Sequence, residues 1–431
     1  MANNKKALGF WRGWGLVVGG TIGSGIFMLP ALLAPYGMMG VVGWLIAGCG
    51  AVLLSLMLAD LSRRIPKIGG PYAYARAGFG DFIGFWIGWG YWISLWSAIA
   101  AISVACVGYL GFFIPALSSN PIISTITTLA LIWGITFINI YSMQASGQLQ
   151  LVTTLLKIIP LVFVGLLGLT MGSAANLPEF NPAGGNVFAA IATSVTLVMW
   201  AFVGLEGGTI PADDIENPEK TIPRILILGT IMVLGVYLIA YLGVILLVPA
   251  EVLINSTAPF ADATVLVIGG VGASIIALGA IISTLGTLNA QVLLSGQIVR
   301  AVTSDKLFPE KLGKLGKGGT PTTALVVSSA LASILVVMNN TEGLVAAFSM
   351  MILLSTLTTL IPLAFASVAA LIFLSKDAPS ATRGRAIVTA ILAFLYSLLV
   401  IVGAGAETVF YGFILLMAAL PFYVLIKKNQ R

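Results

Sequence analysis

The chain has 431 residues, 59% of them hydrophobic and 8% charged. Its mean hydropathy is +1.06, which excludes the soluble globular classes. The formal net charge of +6 would suggest a nucleic-acid partner if the basic residues formed a patch. They sit instead at the ends of apolar runs, so no nucleic acid is expected. Histidine is absent, and only Cys49 and Cys106 occur, both within apolar stretches. Neither a metal site, a disulfide framework nor an imidazole base can be read, and no cofactor is expected. The basic N-terminus, MANNKKALGFWRGWG, has no small-residue cleavage site, so it reads as the entry to a retained first span.

A bilayer core about 30 Å thick requires roughly 20 apolar residues in a helix. Dividing the chain on that rule predicts twelve spans, near 12–36, 40–62, 81–115, 121–141, 147–172, 187–211, 222–248, 264–300, 321–339, 343–374, 386–405 and 408–426. The charge map tests the division, because basic residues in short loops are retained on the cytoplasmic side. With both termini inside, every basic residue except Lys157 falls at a cytoplasmic end. The external loops then hold only acids: Glu179, Glu251, Asp262, Glu342 and Glu407. One span more or fewer would scatter the lysines over both faces. The acidic run Asp213, Asp214, Glu216 and Glu219 after the sixth span reads as a solvated loop balancing Lys220 and Arg224.

Two spans carry breaks in mid-membrane. The first contains Gly-Thr-Ile-Gly-Ser-Gly at 20–25, and the sixth contains Phe-Val-Gly-Leu-Glu-Gly-Gly at 202–208. Each glycine disfavours continuous helix by about 1 kcal/mol relative to alanine. Unwound backbone at that depth has to be buried in protein or line a cavity. If spans one to five and six to ten are two copies, the breaks fall at equivalent places, and an odd number of spans per copy inserts them upside down. That is the inverted-repeat pattern, with a solute site between the discontinuous helices. Half-helix N-termini would meet a carboxylate and freed carbonyls an ammonium, the two poles of an amino acid zwitterion. Close packing of small residues is the competing account of the glycines.

Five motifs carry a resemblance: Gly23-Ser24-Gly25-Ile26-Phe27 with Pro30, Gly69-Gly70-Pro71-Tyr72-Ala73-Tyr74, Trp200-Ala201-Phe202-Val203-Gly204-Leu205-Glu206, Glu216-Asn217-Pro218-Glu219-Lys220 with Ile222-Pro223, and Asp305-Lys306-Leu307-Phe308-Pro309. Through them the chain resembles the amino acid/polyamine/organocation transporter superfamily over essentially its whole length, and within it the bacterial basic amino acid/polyamine antiporter group. The resemblance implies an all-α membrane fold of twelve helices, a five-plus-five inverted repeat with helices 1 and 6 broken. It divides 1–431, a single transporter domain, into repeats at 12–172 and 187–374 and two extra helices at 386–426. It further implies a bacterial inner-membrane location, and a homodimer is open because family members include dimers.

Carried over position by position, the resemblance implies that Ile22, Gly23, Ser24 and Gly25 bind the substrate carboxylate. The α-amino group would meet carbonyls around Trp200, Ala201 and Gly204. Trp200 matches an aromatic that packs on substrate, Tyr91 a tyrosine of an external gate, and Ser355 a serine near the substrate side chain. Gln291 stands where the arginine/agmatine antiporter has a tryptophan, and Gly20 and Ile99 stand where it has asparagines. The guanidinium subsite of that protein is therefore not repeated here. Without such context Trp92 and Trp96 read as packing or interfacial aromatics.

Two charges lie at depth. Lys157 is ten residues into the fifth predicted span, about 15 Å at helical rise. An ammonium there costs roughly 2.5–3.5 kcal/mol on insertion scales, so it has to be paired, hydrated or discharged. It reads either as a proton-linked switch or as a strut holding unwound span-one carbonyls to span eight, where Ser283, Thr284 and Thr287 offer hydroxyls. The basic-substrate antiporters lack a lysine at this place, whereas superfamily members without sodium coupling can carry one. Glu206, in the second break, could answer a cationic substrate, a proton or Lys157, or cap freed N–H groups. The function expected is secondary transport by alternating access: antiport of a basic amino acid against its amine or another amino acid, with proton-coupled symport or exchange of small neutral amino acids through Lys157 as the alternative. A pump lacks its phosphate-binding loop, an intramembrane enzyme its nucleophile and base, and a channel its charged pore lining.

Overall fold

The computed structural model describes residues 9–65, 67, 69–141, 143–182, 184–209, 215–316, 319–338, 343–377 and 380–429. Asp213, Asp214 and Glu342, named above, lie outside the described residues, as do Lys5, Lys6, Lys317 and Arg431 among the basic residues. Among those described, the chain is helical with no strand, as backbone without water to bond to requires. In chain order the main helices are α1 (Phe10–Thr21), α2 (Ser24–Leu33), α3 (Met39–Arg64), α4 (Pro71–Phe79), α5 (Asp81–Gly111), α6 (Pro121–Tyr141), α7 (Met143–Met171) and α8 (Val187–Met199). They continue with α9 (Pro218–Leu247), α10 (Pro259–Ser304), α11 (Thr322–Met338), α12 (Leu344–Asp377), α13 (Ser380–Gly403), α14 (Ala406–Met417) and α15 (Ala419–Asn429).

By length and composition, nine helical segments among the described residues can cross a membrane. Leu156–Met171, Val187–Phe202 and Thr322–Met338 are shorter apolar helices. The protein is thus a multi-pass membrane protein. Its most apolar window is 94% buried in α5 but 17% buried over Ala406–Lys428. Hence α5 lies at the centre and the last helices on the rim. The α1–α2 pair is as enclosed as α5, which puts the first break inside protein, as its freed backbone demands.

Small residues set the closest approaches. A Cβ added to Gly243 of α9 would lie 2.6 Å from the Gly165 Cα of α7, and one added to Gly43 of α3 would lie 2.8 Å from the Ser194 Cβ of α8. One segment differs from the continuous spans expected. Gly269 has φ 71° and ψ −173° inside α10, a conformation open to glycine, so the predicted span 264–300 crosses a turn. The predicted span 408–426 lies within the continuous apolar segment Ala406–Lys428.

Replacing Gly243 by leucine forces α7 and α9 apart at backbone contact. Overpacking of this kind typically costs about 1–3 kcal/mol, so the detergent-solubilised variant is expected to unfold at a lower temperature than the parent, measured by fluorescence-detected thermal unfolding. An unchanged midpoint would show that the two backbones are not in contact there.

Candidate functional site

The two glycine-rich segments are breaks, and they touch. Helix α1 ends at Thr21, Ile22 is extended, and Gly23, at φ −136° and ψ −144°, separates it from α2. Helix α8 ends at Met199 and passes through a 3₁₀ turn at Trp200–Phe202. Val203 is then extended, Gly204 has φ 109°, and a second 3₁₀ turn covers Leu205–Thr209. A Cβ on Gly204 would come within 2.7 Å of the Gly20 carbonyl oxygen. One on Gly25 would come within 2.9 Å of the Ala201 Cα and 3.0 Å of the Trp200 ring. Both pairs therefore depend on glycine, Gly204 also for its positive φ.

A helix that stops leaves its last four carbonyls without intrahelical partners. In α1 these belong to residues 19–22, and three receive side-chain donors from three other helices. The Lys157 ammonium of α7 donates to the Gly19 carbonyl at 2.7 Å. The Tyr237 hydroxyl of α9 donates to the Thr21 carbonyl at 3.0 Å. The Thr287 hydroxyl of α10 donates to the Ile22 carbonyl at 3.2 Å. The fourth carbonyl, of Gly20, faces Gly204 across the contact just described. Lys157 also donates to the Thr287 hydroxyl at 2.9 Å, and Tyr237 reaches the Ala201 carbonyl of the second break at 3.2 Å. One tyrosine hydroxyl thereby touches both interrupted helices.

The other side of each break is different. Gly23 gives α2 no side-chain cap, and the Ser24 hydroxyl, the Trp200 indole N–H and the Gln291 side-chain oxygen are buried without hydrogen-bond partners. Gln291 follows Thr287 by one turn, hence on the same face of α10. At the second break Glu206 is 1% exposed. It accepts from the Tyr91 hydroxyl at 3.0 Å and from the Gly204 N–H at 3.1 Å. Tyr91 is not among the residues lining the open cavity of about 520 Å³ beside Leu32, Tyr36 and Asn255. The Ser355 hydroxyl donates to the Ser94 carbonyl at 2.7 Å, tying α12 to α5 one turn from Tyr91.

Lys157 and Glu206, weighed above as a charge pair, have separate partners, and no ion pair joins them among the described residues. Of the hydroxyls expected near Lys157, Thr287 is bonded to it, Thr284 bonds back to its own helix at 2.9 Å, and Ser283 has no partner. Neighbouring Trp92 donates its indole N–H to Ser328 at 2.8 Å and packs on Trp89 and Phe308, which makes it a packing residue.

Two arrangements were not legible in advance. Tyr237 stood unremarked in an apolar run, although a buried phenol requires a partner. Tyr72 and Arg76 of α4 meet Asp305 at the end of α10, through a 2.7 Å hydrogen bond and a 2.5 Å ion pair, and Arg76 also pairs with Asp81 at 3.0 Å. Burial, then the hydrogen bond to Asp305, pushes the Tyr72 hydroxyl up from its ordinary value, so it remains a donor. With the Arg76 side chain 32% exposed, its ion pairs contribute only about 0–1 kcal/mol. Their effect is to fix α4 against α10.

Two interrupted helices thus meet inside a multi-pass membrane protein and present peptide groups to each other. A family model described as amino acid permease matches residues 8–424, and the chain belongs to that family. It is a transporter, not an enzyme, and stands with the basic amino acid/polyamine antiporters. It is 30% identical to a Bacillus subtilis (strain 168) protein provisionally named an arginine/ornithine antiporter, over 93% of this chain and 92% of that one. It is 28% identical to the cadaverine/lysine antiporter of Escherichia coli (strain K12), over 98% and 95% of the two chains. It is also 28% identical to the putrescine transporter PotE of the same strain, over 95% and 93%.

Replacing Tyr237 by phenylalanine leaves the Thr21 and Ala201 carbonyls without their common donor. The loss is expected to cost about 1–3 kcal/mol, read as a lowered unfolding temperature together with faster hydrogen exchange confined to residues 18–24 and 199–206. Equal exchange in variant and parent would show that this hydroxyl does not hold the two breaks.

Proposed function

We propose that the protein exchanges a basic amino acid for its decarboxylated amine or for another amino acid, by alternating access across the bacterial inner membrane. In this reading the nine long segments and three shorter apolar helices make twelve spans with both termini cytoplasmic. The repeats are 12–172 and 187–374, with 386–426 as two additional helices. The substrate carboxylate meets the N–H groups of Ile22, Gly23, Ser24 and Gly25 at the start of α2. The α-amino group meets carbonyls near Trp200, Ala201 and Gly204, with Trp200 packing on the substrate and Gln291 and Ser355 toward its side chain. Glu206, held by Tyr91, answers the positive charge or a proton.

The observation that carries the reading is the asymmetry of the first break. The freed carbonyls of α1 have protein donors at Gly19, Thr21 and Ile22, while the start of α2 is uncapped and the Ser24 hydroxyl unpartnered. An anionic group fits there by charge and by hydrogen bonding. The printed names of the relatives, which include arginine, ornithine, lysine, cadaverine and putrescine, support a basic substrate. A cavity open beside α2 and the tie between α4 and α10 at the opposite, basic ends support a conformation open to the outside.

A second reading, proton-coupled symport or exchange of small neutral amino acids, is favoured by Lys157. It is fully buried with carbonyl and hydroxyl acceptors only, so a proton lost from it meets no carboxylate that holds it in place. Proteoliposomes preloaded with labelled arginine, ornithine, putrescine or alanine separate the two. Efflux stimulated by external basic amino acid or amine, and not by alanine, is expected. Exchange of alanine alone would overturn the basic-substrate reading. Replacing Lys157 by alanine removes the donor to Gly19 and is expected to cut exchange at least tenfold. Flux that survives the replacement and ignores a pH gradient would remove any coupling role for the lysine.

A further inference from the structure

A groove of about 350 Å³ lies apart from the broken helices. Among the side chains lining it are Trp89, Trp92 and Trp96 of α5, Phe308 after α10, Leu331 of α11 and Phe422 of α15. Three tryptophans lining or beside it direct their N–H groups into the protein. Trp89 donates to the Leu415 carbonyl at 2.9 Å, Trp86 beside it to the Leu416 carbonyl at 3.2 Å, and Trp92 to Ser328 at 2.8 Å. The groove therefore offers carbon rather than donors. Stacking of Trp89 on Phe422, 5.2 Å between centroids and 28° between planes, fixes one wall.

One end of the groove is basic. Pro309 and Leu312 line it, and exposed Lys311 lies between them in sequence. Ile426 lines it from α15, and Lys427 and Lys428 follow directly. The Lys427 ammonium sits 5.8 Å from the centroid of the Tyr423 ring, and that ring packs on Phe82 and Phe85 of α5. Lys314 adds a further exposed cation and Glu310 the one acid in these two segments. A carbon-lined slot ending in several cations complements an amphiphile with an acyl chain and an anionic head.

We infer that this groove is a binding site for an anionic phospholipid, one acyl chain lying along Trp89, Trp92, Trp96 and Phe422 and the phosphate held by Lys311, Lys427 and Lys428. Each lysine near an anionic headgroup adds attraction that a zwitterionic lipid does not repay. The elements that line the groove include α5, α11 and α15, which are far apart in sequence, so an occupant bridges them and braces the central helix against the rim. This claim is independent of the transported substrate.

Quenching of tryptophan fluorescence by brominated acyl chains reads the site directly. The full-length protein in mixed micelles is titrated with dibrominated phosphatidylglycerol or dibrominated phosphatidylcholine at equal mole fraction. Several-fold stronger quenching by the phosphatidylglycerol is expected, and the preference is expected to vanish in the triple variant K311Q/K427Q/K428Q. The charge-conserving K311R/K427R/K428R variant is expected to keep it and serves if the glutamine variant does not elute as a monodisperse peak. Equal quenching by both lipids in the parent would overturn the proposal, leaving only bulk contact with the bilayer. So would disulfide formation between two copies of an A418C variant with loss of quenching by either lipid, because a second copy would then occupy the groove.

Discussion

The structure depends on the rule that peptide groups released inside a membrane must find new partners. A buried carbonyl left unsatisfied costs about 1–3 kcal/mol, and a folded protein holds only about 5–15 kcal/mol in reserve. Breaking α1 at Ile22–Gly23 releases four at once. Three are met by Lys157, Tyr237 and Thr287, from helices separated by up to 130 residues in sequence. The break is consequently a property of α7, α9 and α10 as much as of the glycines. It forms only when those helices are assembled around it, and they are aligned by the acceptors it supplies.

The same rule separates what the protein satisfies from what it leaves for a solute. On the α1 side of the break, carbonyls are matched by side chains of this chain. On the α2 side there is no side-chain cap, and three buried polar atoms, on Ser24, Trp200 and Gln291, have no partner among the described residues. Buried polar atoms are rarely left so without water or a ligand. At the second break the carboxylate is likewise met by neutral donors of this chain. Glu206 has both oxygens engaged, by Tyr91 and by the Gly204 N–H.

Much of this was legible because glycine clusters in apolar runs have few explanations. Gly20, Gly23 and Gly25 and Gly204 located both interruptions, and the motif around Trp200 and Glu206 pointed to the same segment. Lys157 declared itself by depth alone, and Thr287 was among the hydroxyls expected near it. What could not be read were partners set by helix rotation. Tyr237 lies in a run whose apolar residues give no face, so nothing in the sequence says that its hydroxyl points at Thr21 and Ala201. Pairing of Lys157 with Glu206 was an open possibility because charge alone was visible. In the fold the two serve different breaks. The Gly269 turn was missed because hydropathy averages over single residues, and backbone geometry turns on them.

Separation of Lys157 from Glu206 also changes how the two breaks can be coupled. Without a salt bridge, communication runs through neutral contacts: the Tyr237 hydroxyl shared between the Thr21 and Ala201 carbonyls, and the approach of Gly204 to Gly20. Such contacts are short-ranged, so a displacement of about an ångström at either half-helix is enough to lose them. A charge pair would hold on over several ångströms and resist the same motion. Two broken helices joined by one hydroxyl and two glycine contacts can part at the cost of ordinary hydrogen bonds and packing, while Lys157 and Glu206 each stay fastened to one half. That division leaves the buried charges on separate elements and only short-ranged neutral contacts between the two breaks.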